Sequence, residues 1–157
     1  TALGMLSSQV AILREAAALH DIGKIGIPDS ILLKLGRLTA QEFDAMKQHT
    51  VVGADILANC NSPELVMARE IARYHHVWWD GSGYCEGLKG DKIPITARIV
   101  SVADAFDAMT RDRPYHVGMS IGEAFVRIQQ AAGTQFDPRV VDALCKIIRP
   151  DRLKLAS

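Results

Sequence analysis

The chain has 157 residues, a length suited to one compact domain over residues 1–157. Its 18 Lys+Arg against 18 Asp+Glu and pI near 6.9 leave no global electrostatic footprint for a nucleic-acid polymer or an anionic membrane. Cys60, Cys85 and Cys145 are scattered and lack C-x-x-C spacing, which argues against a disulfide framework or a thiolate zinc site and fits a reducing cytoplasm.

Apolar residues at Val10, Leu13, Ala16 and Ala17 predict a helix over Ser8 to Leu19, with His20-Asp21 delivered at its end. Gly23, Gly26 and Pro28 then break the helical pattern, leaving Lys24 about one turn beyond the His-Asp pair. Thr39-Ala-Gln-Glu42 is a capping box, so a helix is expected from Ala40, with His49 near its end and a bend at Gly53. Ser62-Pro63-Glu64 opens the next helix, because proline at the first helical position gives up an amide that has no partner there. That helix runs to His75-His76, adjacent histidines that put two imidazoles on one backbone turn. From Trp79 to Lys92 the chain is glycine-rich, and a loop of that length argues for function. Pro94 opens a helix whose apolar positions leave Asp104 and Asp107 on one side. Ser120-Ile-Gly-Glu123 and Asp137-Pro138 start two more, the last reaching about Ile148. No stretch alternates as a strand, and no apolar run approaches the roughly 18 residues that span a bilayer. The expected fold class is all-α.

His20, His49, His75 and His76 all fall at or near predicted helix ends, and Asp21 and Asp104 complete a set of nitrogen and carboxylate donors. That set suits iron, manganese or zinc better than calcium or magnesium. Six donors exceed the needs of one tetrahedral ion, and a carboxylate such as Asp21 can bridge two; paired ions suit phosphoryl displacement. The implied reaction is phosphodiester hydrolysis, with Lys24 and Arg113 on non-bridging phosphate oxygens. Taken singly, each feature has a plainer reading. A lone His-Asp dipeptide or His49 alone says little, Trp78 and Trp79 read as packing residues with one placed to touch a base, and Asp107 reads as a partner of Arg111.

Taken together, the motifs are specific. His20-Asp21-Ile22-Gly23-Lys24-Ile25-Gly26-Ile27-Pro28-Asp29, then His49, His75-His76, Asp80-Gly81-Ser82-Gly83-Tyr84 and Val102-Ala103-Asp104 occur in the order of the HD-GYP family, which the chain resembles from about Ala2 to Pro150. The resemblance implies a compact multi-helix bundle of the HD superfamily, with the Gly-rich loop after the His-His pair. It implies a bacterial signalling enzyme that hydrolyses cyclic di-GMP to pGpG or GMP. It also implies His20, Asp21, His49, His75, His76 and Asp104 as ligands to two or three divalent ions, iron or manganese, with Asp21 bridging. Lys24, Asp107, Arg113, Gly83 and Tyr84 would face the substrate, Asp21 and Lys24 being the catalytic pair.

The sequence departs from the family pattern in three places. Cys85 stands where the motif ends in proline, so the stiffness proline gives that loop is lost. The family also draws a further ligand from a helix upstream of the residues before His20, and that helix is expected to lie outside this chain, which starts at Thr1 and reads as a piece of a longer signalling protein. Where the family often has a basic residue after Arg-Pro-Tyr, this chain has His116. These departures motivate two alternatives: a catalytically weak ligand-binding or protein-interaction module, and an HD-type phosphohydrolase acting on another nucleotide. Expected partners are cyclic di-GMP, an upstream sensory or receiver domain, diguanylate cyclase-type or other signalling domains, and a second copy in a homodimer.

Overall fold

A computed structural model describes residues 2–84, 87–112 and 118–148. Cys85, Arg113 and His116 lie outside the described residues. Eight α-helices are found among them: α1 Ser7–Ala17, α2 Asp29–Leu32, α3 Ala40–Lys47, α4 His49–Ile56, α5 Pro63–Tyr74, α6 Ile95–Thr110, α7 Ile121–Gln130 and α8 Pro138–Ile147. Short 3-10 turns occupy Ile22–Gly26 and Gly90–Lys92. The described residues hold no strand beyond an isolated bridge between Ala132 and Phe136, so the all-α expectation is met. No helix among them is long and apolar enough to cross a membrane.

The start signals act as the sequence suggested. Thr39 accepts from the Glu42 amide at 3.3 Å while Glu42 accepts from the Thr39 amide at 2.7 Å, opening α3. Ser120 and Glu123 repeat the exchange at α7, Ser62 caps α5, and Asp137 caps α8 through the Arg139 amide at 2.8 Å. These contacts satisfy amides that have no partner inside the helix.

α5 is the organising element. Ala68, Ile71 and Ala72 are fully buried at helical spacing, and the helix lies against α1, α4 and α6. Leu13, Ala16, Leu57, Ala68, Ile71 and Val100 form one core cluster, while Val102, Ile128, Phe136, Val140 and Val141 form a second between α6, α7 and α8. α5 begins at Pro63 and ends at Tyr74, which sets His75 as its C-terminal cap.

Two expectations are corrected. The stretch after His20-Asp21 is not a simple helix break, because Ile22–Gly26 continues as a 3-10 turn and α2 follows. Gly53 does not bend the chain either: it lies inside α4, and the break comes one residue before His49, at Gln48. The closest approach is at Gly23, which packs backbone to backbone on α4, whereas a side-chain carbon at Gly53 would meet Ala72 Cβ and the Gly23 amide nitrogen at 3.2 Å. A side chain carbon at Gly23 would sit 1.9 Å from the His49 carbonyl oxygen and 2.4 Å from the Gly53 amide nitrogen. The His-Asp segment can therefore reach the His49 helix only backbone to backbone.

Candidate metal centre

Four elements converge on one point. The turn after α1 brings His20 and Asp21, α4 begins with His49, the end of α5 supplies His75 and His76, and the middle of α6 supplies Asp104. One ligand atom from each of Asp21, His49, His75 and His76 falls within 4.8 Å of all the others, an arrangement able to hold a metal ion. Asp21 faces two ways. Its Oδ1 lies 3.5 Å from His49 Nε2 and 3.9 Å from His75 Nε2, and its Oδ2 lies 3.4 Å from His20 Nε2. Asp104 Oδ1 is 3.6 Å from the same His20 nitrogen, so all six expected donors are brought together.

The rings are held in the orientation a metal requires. His20 Nδ1 is 2.9 Å from the Ala17 carbonyl, His49 Nδ1 2.6 Å from that of Met46, and His75 Nδ1 3.0 Å from that of Ile71. A carbonyl only accepts, so in each ring Nδ1 carries the proton. In neutral His49 and His75 this leaves the Nε2 lone pair pointing inward. His75 is 0% and His49 1% exposed, and both Nε2 atoms, together with Asp21 Oδ1, are buried without any hydrogen-bond partner. Leaving a buried acceptor unpaired costs about 1–3 kcal/mol, and here three such atoms face one another. This donor chemistry fits a divalent cation.

The protonation states of His49, His75 and His76 agree with that fit. Burial pushes His75 down to about 4 and His76 down to about 3, and burial also lowers His49, so these imidazoles are neutral near pH 7. His20 is raised to about 10, chiefly by its hydrogen bond to Asp104 and then by Asp21. Burial alone would raise Asp21, but His20 and Lys24 outweigh it and hold the carboxyl below its usual range; His20 does the same for Asp104. A proton on His20 thus sits between two carboxylates, the place that a cation held by His20, Asp21 and Asp104 would take.

The other expected site residues are placed unequally. Lys24 Nζ donates to Asp21 Oδ2 from three residues on, at the rim of the cluster. Tyr84 lies against His76 with ring centroids 4.7 Å apart. Gly83 lets the loop fold back, because a side chain there would come within 2.6 Å of the Trp78 amide nitrogen and 2.7 Å of the His76 carbonyl oxygen. Asp107 is exposed on α6 and pairs with Arg111 at 3.0 Å, the plainer of its two readings. The two tryptophans divide their roles. Trp79 packs against the Arg98 and Arg139 guanidiniums, at 5.5 and 5.7 Å from its ring centre, whereas Trp78 is 38% exposed beside Tyr84.

Sequence reasoning missed what anchors the loop. The Trp79 and Asp80 amides donate to the Gln135 and Thr134 carbonyls at 3.0 and 2.9 Å, tying the loop to the connection between α7 and α8. Beneath it Arg98 pairs with buried Asp137 at 2.6 Å. Asp137 was legible as a cap, but its partner lies 39 residues away and carries no local signal. Phe43 and Lys47 were also missed. They share one face of α3 at a spacing of four residues and reach across to Tyr84, with ring centroids of Phe43 and Tyr84 5.7 Å apart.

Comparison with known proteins agrees with this geometry. A family model described as HD domain matches residues 1–140. A cyclic di-GMP phosphodiesterase of Thermotoga maritima is 52% identical over 145 residues, covering 92% of this chain and 39% of the relative. The cyclic di-GMP phosphodiesterase response regulator RpfG of Xanthomonas campestris is 45% identical, covering 92% of this chain and 38% of its own length. A 3'3'-cGAMP-specific phosphodiesterase 2 of Vibrio cholerae is 40% identical, with 90% and 27% covered. The chain therefore spans about two fifths or less of these relatives. A crystal structure of a cyclic GMP-AMP specific phosphodiesterase of V. cholerae superposes with a TM-score of 0.68 at 20% identity, over 97% of this chain and 41% of that one, and so shares the fold. With its helices, its His-Asp cluster and this match, the chain belongs to the HD domain family.

Proposed function

We propose that this chain is a metal-dependent phosphodiesterase domain of the HD-GYP type that hydrolyses cyclic di-GMP to pGpG or GMP, as part of a longer bacterial signalling protein. The observation that carries the reading is the convergence of three buried, unpartnered ligand atoms, Asp21 Oδ1, His49 Nε2 and His75 Nε2. The names of the T. maritima and X. campestris relatives support the substrate. His49, His75 and His76 together with Asp21 would hold one ion, and His20 and Asp104, also with Asp21, would hold another. Iron or manganese suits such nitrogen and carboxylate donors. Bound there, divalent ions supply Lewis acidity toward a phosphoryl oxygen and lower the pKa of water.

The chain's own residues do the rest. The backbone carbonyls of Ala17, Met46 and Ile71 fix the imidazoles, so no reorientation is needed when the site fills. Lys24 brings a mobile positive charge to the rim, where it can pass from Asp21 to a non-bridging phosphate oxygen as charge builds there. Gly83 and Tyr84 wall the approach to His76, and Asp107 and Arg113 are assigned to the substrate by resemblance alone. A cytoplasmic location and upstream sensory or receiver domains belong to the same reading.

The test is turnover of cyclic di-GMP by protein loaded with Mn²⁺ or Fe²⁺, with products separated by chromatography. Formation of pGpG or GMP supports the proposal; no hydrolysis, by this chain or by the full-length protein, overturns it. A second reading, hydrolysis of 3'3'-cGAMP, is favoured by relatives named for that substrate at 36–40% identity, and competition between the two dinucleotides separates them.

A further inference from the structure

Beside the metal centre lies a cavity of about 220 Å³ lined by Phe43, Lys47, Trp78, Ser82, Gly83 and Tyr84. It shares a wall with the cluster through Tyr84, whose ring rests on that of His76. Its size is below the roughly 300–1,000 Å³ that encloses a whole drug-sized ligand, and suits a single planar ring system. The lining is aromatic and partly bare: Phe43 is 42% and Trp78 38% exposed. Lys47 is the cation within this lining, with Nζ 4.9 Å from the Phe43 ring centre and 5.9 Å from that of Tyr84. Asp44, itself mostly exposed, holds the ammonium from the solvent side at 2.7 Å.

We infer that this cavity is a purine-base subsite, with Phe43, Trp78 and Tyr84 as its stacking surfaces and Lys47 as the residue that selects guanine over adenine. The inference rests on the proposed nucleotide substrate and deepens it. Aromatic faces accept any base, so they give affinity without choice. An ammonium only donates. Guanine presents two acceptors, O6 and N7, on the edge where adenine places the N6 amino donor, so an ammonium there favours guanine. The position also joins the base to the chemistry: a nucleotide with its base here would carry its phosphate toward His76 and Lys24.

Binding of GMP and AMP to Mn²⁺-loaded protein, measured by calorimetry, tests this directly. Both mononucleotides carry the same phosphate, so the ratio of their affinities isolates the base. The wild type should favour GMP by about tenfold, the scale of one good base-edge contact. Lys47→Met should bring the ratio near one, and Lys47→Arg, which restores donors, should recover it. Phe43→Ala should weaken both nucleotides together and leave the ratio unchanged. Lys34→Met, whose residue pairs with Glu42 away from the cavity, serves as the control and should leave the ratio as it is. The inference is overturned if the wild type binds neither nucleotide, shows no GMP preference, or keeps that preference in Lys47→Met. A protein that hydrolyses cyclic di-GMP but fails this test loses only the subsite assignment. One that passes it without hydrolysing any cyclic dinucleotide loses only the proposed function.

Discussion

Replacing Gly23 by alanine should damage the metal centre without touching a ligand. The added carbon would lie 1.9 Å from the His49 carbonyl oxygen, 2.4 Å from the Gly53 amide nitrogen and 2.9 Å from the Gly53 Cα, all backbone atoms of α4. Ordinary contact begins near 3.4 Å, so the 3-10 turn and α4 must part by about 1.5 Å. No flexible side-chain end is available to absorb the shift. Overpacking of this kind costs about 1–3 kcal/mol, or roughly 3–10 °C in melting temperature for a chain of this size. The effect on metal is larger, because ligand distances tolerate only about ±0.2 Å, and Asp21 and His49 ride on the two segments being separated. Gly23→Ala should therefore retain the helical circular dichroism spectrum, melt lower, and lose at least about tenfold in Mn²⁺ affinity by calorimetry. Gly122→Ala is the matched control: it sits in α7 with nothing within 4 Å, and should be neutral or stabilising by up to about 1 kcal/mol. A Gly23→Ala protein with wild-type melting temperature and metal affinity would refute the backbone-contact argument.

Other expectations follow from the same structure. Asp137→Ala removes the α8 cap and leaves Arg98 without its buried partner, and should cost about 3 kcal/mol in urea unfolding. Burial raises the Asp137 carboxyl, but Arg139 and Arg98 outweigh this and hold it below its ordinary value. Its contribution is thus complete above about pH 4, the unfolded value, and is lost as pH falls through the lower folded value. Asp137→Asn should flatten that acid limb in melts between pH 2 and 5, and an unchanged limb would count against the pairing. Gly83→Ala collides with the Trp78 amide and the His76 carbonyl, so it should displace Tyr84 and raise KM for cyclic di-GMP at least about fivefold. An unaltered KM would remove the loop from substrate binding. Mn²⁺ at a hundred times its Kd should stabilise the fold by about 2.7 kcal/mol in a thermal melt, and His75→Ala should abolish the rise.

The helices were legible because their signals are local: capping boxes at Thr39 and Ser120, and prolines at Pro63 and Pro138, state their meaning within four residues. The gathering of the six candidate donors was legible for a different reason, since they fall at or near predicted helix ends and follow the motif order of one family. What could not be read was tertiary. Gly53 looked like a bend because a glycine inside a helix weakens it, and only the tertiary contacts with Gly23, thirty residues earlier, and Ala72 show what packs there. Arg98 and Asp137, like Phe43 and Tyr84, meet across distant segments, and nothing in either neighbourhood announces the other. Asp107 illustrates the opposite case, where the plain local reading, an ion pair with Arg111, is what the structure contains.

The central claim is that His20, Asp21, His49, His75, His76 and Asp104 form one metal centre. Metal analysis of the anaerobically purified protein, beside Asp21→Ala, tests it most directly. The wild type should carry two or more equivalents of iron or manganese, and Asp21→Ala should lose them. A wild type that takes up no metal even when Mn²⁺ or Fe²⁺ is supplied, or an Asp21→Ala protein that keeps its full complement, would contradict it.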